Sequence, residues 1–125
     1  VCVHGLTRVG RDFDFLAQRL SAHYRVVCPD VVGRGRSDWL PDAAGYGVPQ
    51  YVGDMVTLIA RLGVERGHWF GTSMGGLIGM ALAALPDTPI RMIRLVLASG
   101  LDRASVCGIC LHLVTANYYW DRCES

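Results

Sequence analysis

The sequence lacks an excess of charge of either sign. Its 125 residues include 12 Lys and Arg against 11 Asp and Glu, so the formal net charge is +1. A surface that binds a polyanion normally carries a clear basic excess, so we expect no nucleic-acid partner. Hydrophobic residues make up 51% of the chain and charged residues 18%, which excludes a disordered chain and favours one domain with a buried core.

The sequence also lacks a recognisable secretory leader. It opens on the apolar run Val1–Val3 with no basic start, so we predict no signal peptide. The stretch from His68 to Pro86 contains no charged residue, but glycines and a polar Gly-Thr-Ser turn interrupt it, so we predict no membrane span. The five cysteines are an odd number and no leader accompanies them, which favours free thiols in a reducing, cytoplasmic compartment.

Apolar runs alternate with helical periods over the first 100 residues. Short apolar runs predict four strands, at residues 1–3, 25–28, 68–70 and 93–98. Apolar residues at helical spacing predict three intervening helices, at residues 13–20, 49–62 and 77–85. Helical crossovers between buried strands require a parallel sheet with helices on both faces, so the predicted fold class is α/β.

The motif that carries chemistry is Gly71-Thr72-Ser73-Met74-Gly75, which fits G-x-S-x-G between a predicted strand and a predicted helix. In such a turn the serine hydroxyl projects above the sheet, and the glycines leave room where a Cβ would strike neighbouring backbone. The start of the helix directs N–H groups towards the same place, so the Met74 N–H can bind an oxyanion. The alternative is a glycine-rich turn between a strand and a helix whose serine has no catalytic role.

A second motif, His4-Gly5-Leu6-Thr7, follows the first predicted strand. The useful group there is the backbone N–H of Leu6, which can supply a second oxyanion donor. We interpret His4 as a buried histidine that hydrogen-bonds the loop, not as a catalytic group.

These motifs resemble the α/β-hydrolase family. The resemblance covers residues 1–100 and is carried, in the family's order, by residues 4–7, Pro29-Asp30-Val31-Val32-Gly33-Arg34-Gly35-Arg36-Ser37-Asp38, residues 71–76 and Leu95-Val96-Leu97. It implies a partial doubly wound parallel sheet, truncated at both ends. It also implies a nucleophile at Ser73, oxyanion donors at Leu6 and Met74, and no cofactor. A serine at this place resembles esterases, lactonases and carbon–carbon bond hydrolases, so the implied substrate is a small acyl or ester-type molecule.

The acid and the base of the family's triad should follow the serine in the chain. His4, His23 and His68 precede Ser73, so only Asp102 and His112 remain as candidates. Their order is right, but they lie too close together to come from separate loops, and Asp102 is the better supported of the two. We therefore expect an internal piece of a hydrolase that is nearly inactive alone, with an atypical, altered or frame-shifted tail at 101–125. A binding or scaffold module that keeps the fold is the alternative.

Other patterns in the sequence favour competing sites only weakly. Cys107, Cys110, His112 and Cys123 match no common zinc spacing, so we expect no metal. Residues 33–37 lack the frame of a phosphate-binding loop, and Arg34 and Arg36 are expected in solvent or paired with Asp38. Three apolar residues near the motifs suggest either an acyl pocket or ordinary core: Trp39, Trp69 and Met74.

Overall fold

Three parallel strands form the sheet in the computed structural model, which describes residues 1–96. The strands lie in the order β1 (Cys2–Val3), β2 (Gly67–Thr72), β3 (Ile90–Val96). Val3 pairs with Gly71, and Thr72 pairs with Val96, so the carboxyl ends of all three strands meet at one edge of the sheet. That edge is where a parallel sheet presents its reactive loops.

Helices connect the strands, as the α/β prediction requires. They are α1 (Asp14–Leu20), α2 (Val48–Arg61) and α3 (Met74–Ala83), with short 3-10 turns at Gly10–Phe13 and Ala43–Gly45. Adjacent residues of β2 point to opposite faces of the sheet. Trp69 contacts α3, whereas Phe70 makes an edge-to-face contact with Phe13 on the other side. The sheet is therefore covered on both faces.

The helix α2 supplies much of the core on the α3 side. Its buried residues Tyr51, Met55 and Ile59 follow one another at four-residue spacing, so they form a single stripe. Pro49 lies in the first turn, and Gly63, with φ of 64°, follows the last turn, which is the usual arrangement of start and stop residues. The stripe packs with the equally buried Ile78 and Leu82 of α3. Full burial of each such side chain contributes about 1.5–3 kcal/mol.

Most predicted elements differ from the structure by one or two residues at an end, and three differ by more. Residues 25–28 are not a strand: the Cys2 N–H donates to the Val27 carbonyl (2.8 Å), but β1 is too short to extend this single bond into a ladder. The helix α3 begins at Met74, three residues before the predicted start, because a glycine-rich first turn hides its periodicity. Strand β3 begins at Ile90, and its predicted extension beyond 96 lies outside the described residues.

Candidate active site

Ser73 occupies the sharp turn between β2 and α3. Its backbone has φ of 48° and ψ of −114°, a conformation that costs a non-glycine residue about 1–3 kcal/mol. The residue is exposed to solvent. Serine at a helix start usually caps the first turn, but this hydroxyl makes no capping bond and has no hydrogen-bond partner among residues 1–96. The strain therefore presents an uncommitted hydroxyl above the carboxyl edge of the sheet.

Two glycines make this turn sterically possible. A Cβ on Gly71 would collide with the Gly75 carbonyl group and lie 2.6 Å from the Gly76 nitrogen. A Cβ on Gly75 would overlap the Val3 carbonyl, whose carbon would lie 2.6 Å away. Backbone atoms cannot move aside as a flexible side chain can. The glycines of the motif are therefore required by the close approach of α3 to both β2 and β1.

Trp69 packs against α3 and hydrogen-bonds its first turn. Its indole N–H donates to the Gly75 carbonyl at 2.9 Å, and its ring fills the space where Gly79 has no side chain. The side chain is only 1% exposed, so its one polar group is satisfied and its ring belongs to the core. Of the apolar residues near the motifs, Trp69 is thus core, while Trp39 is 76% exposed.

The turn Gly5–Arg8 follows β1 and lies beside Ser73. A Cβ on Gly5 would be 3.5 Å from the Ser73 Cβ, and the Arg8 N–H donates to the Gly5 carbonyl at 3.1 Å. Leu6, at the second position of this turn, has a side chain that is 57% exposed. The loop after β1 and the turn after β2 are therefore neighbours, as parallel strand ends require.

His4 is fully buried, and both of its ring nitrogens are used. Nε2 accepts a hydrogen bond from the Val31 N–H at 2.9 Å, so the proton lies on Nδ1, which donates to the Gly5 carbonyl at 2.7 Å. Both ring nitrogens are therefore engaged, and neither is left for proton transfer. This geometry confirms that His4 is a loop-bonding histidine.

The backbone N–H groups of Leu6 and Met74 have no acceptor within residues 1–96. Each belongs to one of the two turns that meet at Ser73, and each turn leads away from the end of a strand. The Met74 side chain is buried, so at this residue only the backbone is available. The expected acid Asp102 and the candidate base His112 lie outside the described residues.

The side chain of Arg34 connects its own loop to the Gly5–Arg8 turn. This differs from the expectation that it points into solvent or pairs with Asp38. Its Nε donates to the Leu6 carbonyl (3.1 Å), and its Nη1 donates to the Val32 carbonyl (2.9 Å) and to the Tyr51 hydroxyl (3.0 Å). Arg36 is exposed, and its side chain makes no hydrogen bond in the described part of the chain. The two arginines of the loop therefore have different roles.

The Asp30 carboxylate stabilises the loop that contains Arg34 and Arg36. It accepts hydrogen bonds from the backbone N–H groups of Arg36 (2.9 Å) and Gly10 (2.7 Å), and these bonds lower the pKa of the carboxyl below its ordinary value. Its own carbonyl accepts from the Ser37 hydroxyl at 2.7 Å. An ionised carboxylate at this position therefore ties the loop to the segment that follows the Gly5–Arg8 turn.

Asp30, Arg34 and Tyr51 were not predicted from the sequence as parts of the site. A signal for Asp30 was present, because Pro29-Asp30 ends an apolar run at the edge where site residues collect. No comparable signal pointed to the bond between Arg34 and Leu6, since its partners lie 28 residues apart.

The cysteines of the described segment are not competing nucleophiles. Cys2 is buried and Cys28 half-buried, and neither forms a disulfide there. Burial raises the pKa of the Cys2 thiol, and burial together with the neighbouring Cys2 raises the pKa of Cys28 to about 11. Both therefore remain thiols at neutral pH, whereas the thiolate is the nucleophilic form.

Residues 1–96 contain neither a metal-binding cluster nor a membrane-spanning helix. No group of three His, Cys, Asp or Glu side chains there is arranged to hold a metal ion, and the cysteines weighed for zinc, 107 to 123, lie beyond this part. No helix of this part is long and apolar enough to cross a membrane.

Comparison with known proteins gives a family match and several named hydrolases. A family model described as alpha/beta hydrolase fold matches residues 1–121. A 3-hydroxybutyrate-oligomer hydrolase from Cupriavidus necator is 72% identical over 95 residues, which are 76% of this chain and 32% of that protein. A pimeloyl-[acyl-carrier protein] methyl ester esterase from Pectobacterium atrosepticum is 30% identical over 96 residues, or 77% of this chain and 34% of the esterase.

Solved structures show the same likeness. The crystal structure of an alpha/beta hydrolase from Novosphingobium aromaticivorans superposes with a TM-score of 0.71 at 46% identity, covering 75% of this chain and 33% of that one. The chain thus spans about a third of the length of the relatives that it matches.

Proposed function

Because this chain belongs to the alpha/beta hydrolase fold family, we propose that it is the nucleophile-bearing part of a serine hydrolase that cleaves ester bonds. The observation that carries the proposal is the exposed hydroxyl of Ser73, held on a strained turn with no hydrogen-bond partner in residues 1–96. Backbone strain at one exposed residue is typical of functional positions. Here the strained residue is also the serine of G-x-S-x-G.

In the proposed reaction the Ser73 oxygen attacks the ester carbonyl carbon while a general base takes its proton. The N–H groups of Leu6 and Met74 stabilise the negative charge on the carbonyl oxygen, because both are unpaired in residues 1–96 and flank the serine. The alcohol then leaves with the proton that the base returns. Water then attacks the acyl carbon while the base takes a proton from it, and the Ser73 oxygen leaves with that proton, which releases the acid and restores Ser73.

The general base is not among the three histidines of residues 1–96. His4 uses both nitrogens in hydrogen bonds, and neither His23 nor His68 has a contact with Ser73. We place the acid and the base beyond residue 96, with Asp102 as the candidate acid. Residues 1–96 without them retain only the donors and the unactivated hydroxyl, so their turnover falls by about 10⁶, the loss measured for removal of such a base.

The proposed substrate is a short oligoester of a hydroxy acid. The support is the 72% identity to a 3-hydroxybutyrate-oligomer hydrolase over three quarters of this chain. The exposed Leu6 is consistent with it, since this residue belongs to the turn beside Ser73 and offers apolar surface to a chain of methyl-bearing units.

The test compares Ser73→Ala with Ser21→Ala in the complete protein that contains this chain. Ser21 is an exposed serine at the end of α1, so its replacement is a matched control. We expect Ser21→Ala to hydrolyse a 3-hydroxybutyrate trimer and to react with a fluorophosphonate probe as the unaltered protein does. Ser73→Ala should lose both the labelling and all but about one part in 10⁶ of turnover.

The alternative, a binding or scaffold module that keeps the fold, predicts a different result. Absence of labelling in the unaltered complete protein, or equal hydrolysis by Ser73→Ala, would favour that module. Hydrolysis of 4-nitrophenyl esters without hydrolysis of the trimer would support Ser73 as the nucleophile and contradict the proposed oligoester substrate.

A further inference from the structure

The hydrogen bonds of β1 place Cys2 beside Cys28. In a parallel pair, the N–H of one residue donates to the carbonyl of the residue that precedes its lateral neighbour. Strands β1 and β2 follow this pattern, since Phe70 pairs with Cys2 and its N–H donates to the Val1 carbonyl at 2.8 Å. On the other side of β1, the Cys2 N–H donates to the Val27 carbonyl at 2.8 Å. The residue after Val27 is Cys28, which is therefore the lateral neighbour of Cys2.

The segment that contains Cys28 runs in the same direction as β1. Just beyond β1, the His4 Nε2 accepts from the Val31 N–H at 2.9 Å, so the two chains advance together. Lateral neighbours in such a pair direct their side chains to the same face, and the chains lie about 4.8 Å apart. The two thiols accordingly lie side by side and interact through a hydrogen bond.

The thiol pair lies on the side of the sheet that faces α1. Phe70, the other lateral neighbour of Cys2, makes its edge-to-face contact with Phe13 just before α1. Cys2 is 3% exposed, whereas Cys28 is only half-buried, and α1 buries none of its own residues. A small reagent can therefore reach the pair from the Cys28 side while the sheet stays folded.

The spacing of the pair favours an atom that bridges the two sulfurs over a direct bond between them. A disulfide requires Cβ atoms about 3.8 Å apart. Side chains of lateral neighbours start from chains about 4.8 Å apart, so a disulfide would draw the two chains together. A third atom between the sulfurs lengthens the link and fits the wider spacing without that movement.

The number of ligands selects the class of bridging atom. Zinc in a structural site takes four protein ligands. Residues 1–96 contain no group of three His, Cys, Asp or Glu side chains that could hold a metal ion. A monoorganic arsenic(III) compound needs only two sulfur ligands, because its third bond is to carbon. Two adjacent thiols without a further donor match that requirement.

We propose that Cys2 and Cys28 form a dithiol site that binds monoorganic arsenic(III) compounds. In the reaction with R–As(OH)₂, two S–As bonds form and two As–O bonds break. Each thiol proton leaves with a hydroxide as water, so no oxidant or reductant is needed. Burial raises the pKa of both thiols, so both carry these protons at neutral pH. The site does not depend on the function proposed above, and either can fail without the other.

The experiment counts the equivalents of phenylarsine oxide, which is PhAs(OH)₂ in water, that the complete protein binds in native mass spectrometry. Excess 2-mercaptoethanol competes for attachment to single cysteines, which is weaker than attachment to a pair by about 10²–10⁴-fold. We expect Cys2→Ala and Cys28→Ala each to bind one equivalent fewer than the unaltered protein. The double variant should also bind only one fewer, because the two cysteines form one site.

The matched control is Val27→Ala, which alters the same segment and keeps both thiols. Adjacent residues of an extended chain point to opposite faces, so the Val27 side chain lies away from the pair. We expect this variant to bind as many equivalents as the unaltered protein. Loss of an equivalent here would show that binding follows the fold of the segment and not the thiols, and it would overturn the proposal.

Three further results would overturn the proposal. The first is unchanged binding by either single variant, and the second is a double variant that binds two equivalents fewer, as two independent thiols would. The third is a Cys2–Cys28 disulfide in protein kept without reductant, which would contradict the spacing of the pair. Trypsin cleaves after Arg8, Arg25 and Arg34, so such a bond would link two separate peptides.

A measurement on the unaltered protein decides the matter if the variants do not fold. Phenylarsine oxide is bound in the presence of 2-mercaptoethanol, excess reagents are removed, and the folded protein is treated with N-ethylmaleimide. We expect bound arsenical to protect Cys28, located in the tryptic peptide 26–34, and 2,3-dimercaptopropanol to restore its labelling. Equal labelling of Cys28 with and without the arsenical would overturn the proposal.

Discussion

The two turns that meet at Ser73 are built in different ways. The turn between β2 and α3 is enforced by steric fit, since Gly71 and Gly75 lie against backbone atoms that cannot move. The Gly5–Arg8 turn has no such fit, and a Cβ on Gly5 would make only ordinary contacts of 3.5 Å and longer. It is held by hydrogen bonds from His4 and Arg34.

The difference shows how a site can combine a strained element with an adjustable one. The strained turn must keep Ser73, the proposed nucleophile, in an unfavourable conformation, so its restraints have to be backbone contacts that cannot relax. The other turn is under no such strain, and side-chain hydrogen bonds of about 1 kcal/mol each suffice to hold it. Substitutions should therefore have large, local effects at the first turn and graded effects at the second.

Gly75→Ala should have the largest effect on stability. The added Cβ overlaps the Val3 carbonyl, and either α3 or β1 must move to accommodate it. We expect the free energy of unfolding to fall by about 4 kcal/mol or more, measured by urea unfolding of the complete protein. The control is Gly53→Ala in the exposed interior of α2, where a Cβ meets nothing within 4 Å and should stabilise the helix by about 0.5–1 kcal/mol. Similar losses for the two variants would contradict the steric account.

His4→Leu should have the next largest effect and tests the second turn. The substitution leaves the buried Val31 N–H without an acceptor and removes one of two donors to the Gly5 carbonyl. We expect a loss of about 2–3 kcal/mol in the free energy of unfolding, since an orphaned buried donor alone costs about 1–3 kcal/mol. The exposed His23 offers a control, and His23→Leu should change stability by less than about 0.5 kcal/mol. Equal stability of His4→Leu and the unaltered protein would mean that these bonds do not hold the turn.

Asp30→Asn should have the smallest effect and one that depends on pH. Hydrogen bonds from Arg36 and Gly10 lower the pKa of the Asp30 carboxyl in the folded protein. A lowered folded pKa contributes stability above the unfolded value of about 3.9, and this contribution is lost as the pH falls through the folded pKa. We expect Asp30→Asn to cost about 1–2 kcal/mol at pH 7 and progressively less below about pH 4.

The control for this pH dependence is Asp38→Asn, in the same loop, whose exposed carboxylate accepts no hydrogen bond within residues 1–96. Unfolding free energies of both variants and the unaltered protein are measured from pH 3 to 7. A difference between Asp30→Asn and the unaltered protein that is constant over this range would show that ionisation of Asp30 does not support the loop.

The order of elements was largely predictable, whereas the bounds of several elements were not. The apolar stripe of α2 and its stop residue Gly63 gave that helix nearly to the residue, because they are local signals. The predicted strand at 25–28 was wrong, since an apolar run does not reveal whether a neighbouring strand is long enough to form a ladder with it. The start of α3 was placed late because glycines carry no periodicity.

The sequence by itself indicated the G-x-S-x-G turn, because the motif and the strand and helix that flank it are local signals. The requirement for glycine is local at Gly71, which meets Gly75 and Gly76, whereas at Gly75 it arises from the Val3 carbonyl of β1. The sequence also determined that His4 would be a loop histidine beside Gly5. Only the tertiary structure decided which side chains hold the Gly5–Arg8 turn. The bond from Arg34 to Leu6 joins residues 28 apart, and Arg34 reaches Tyr51 on a helix beyond both. Such contacts depend on how loops from different strands meet at one sheet edge, which no local pattern of residues encodes.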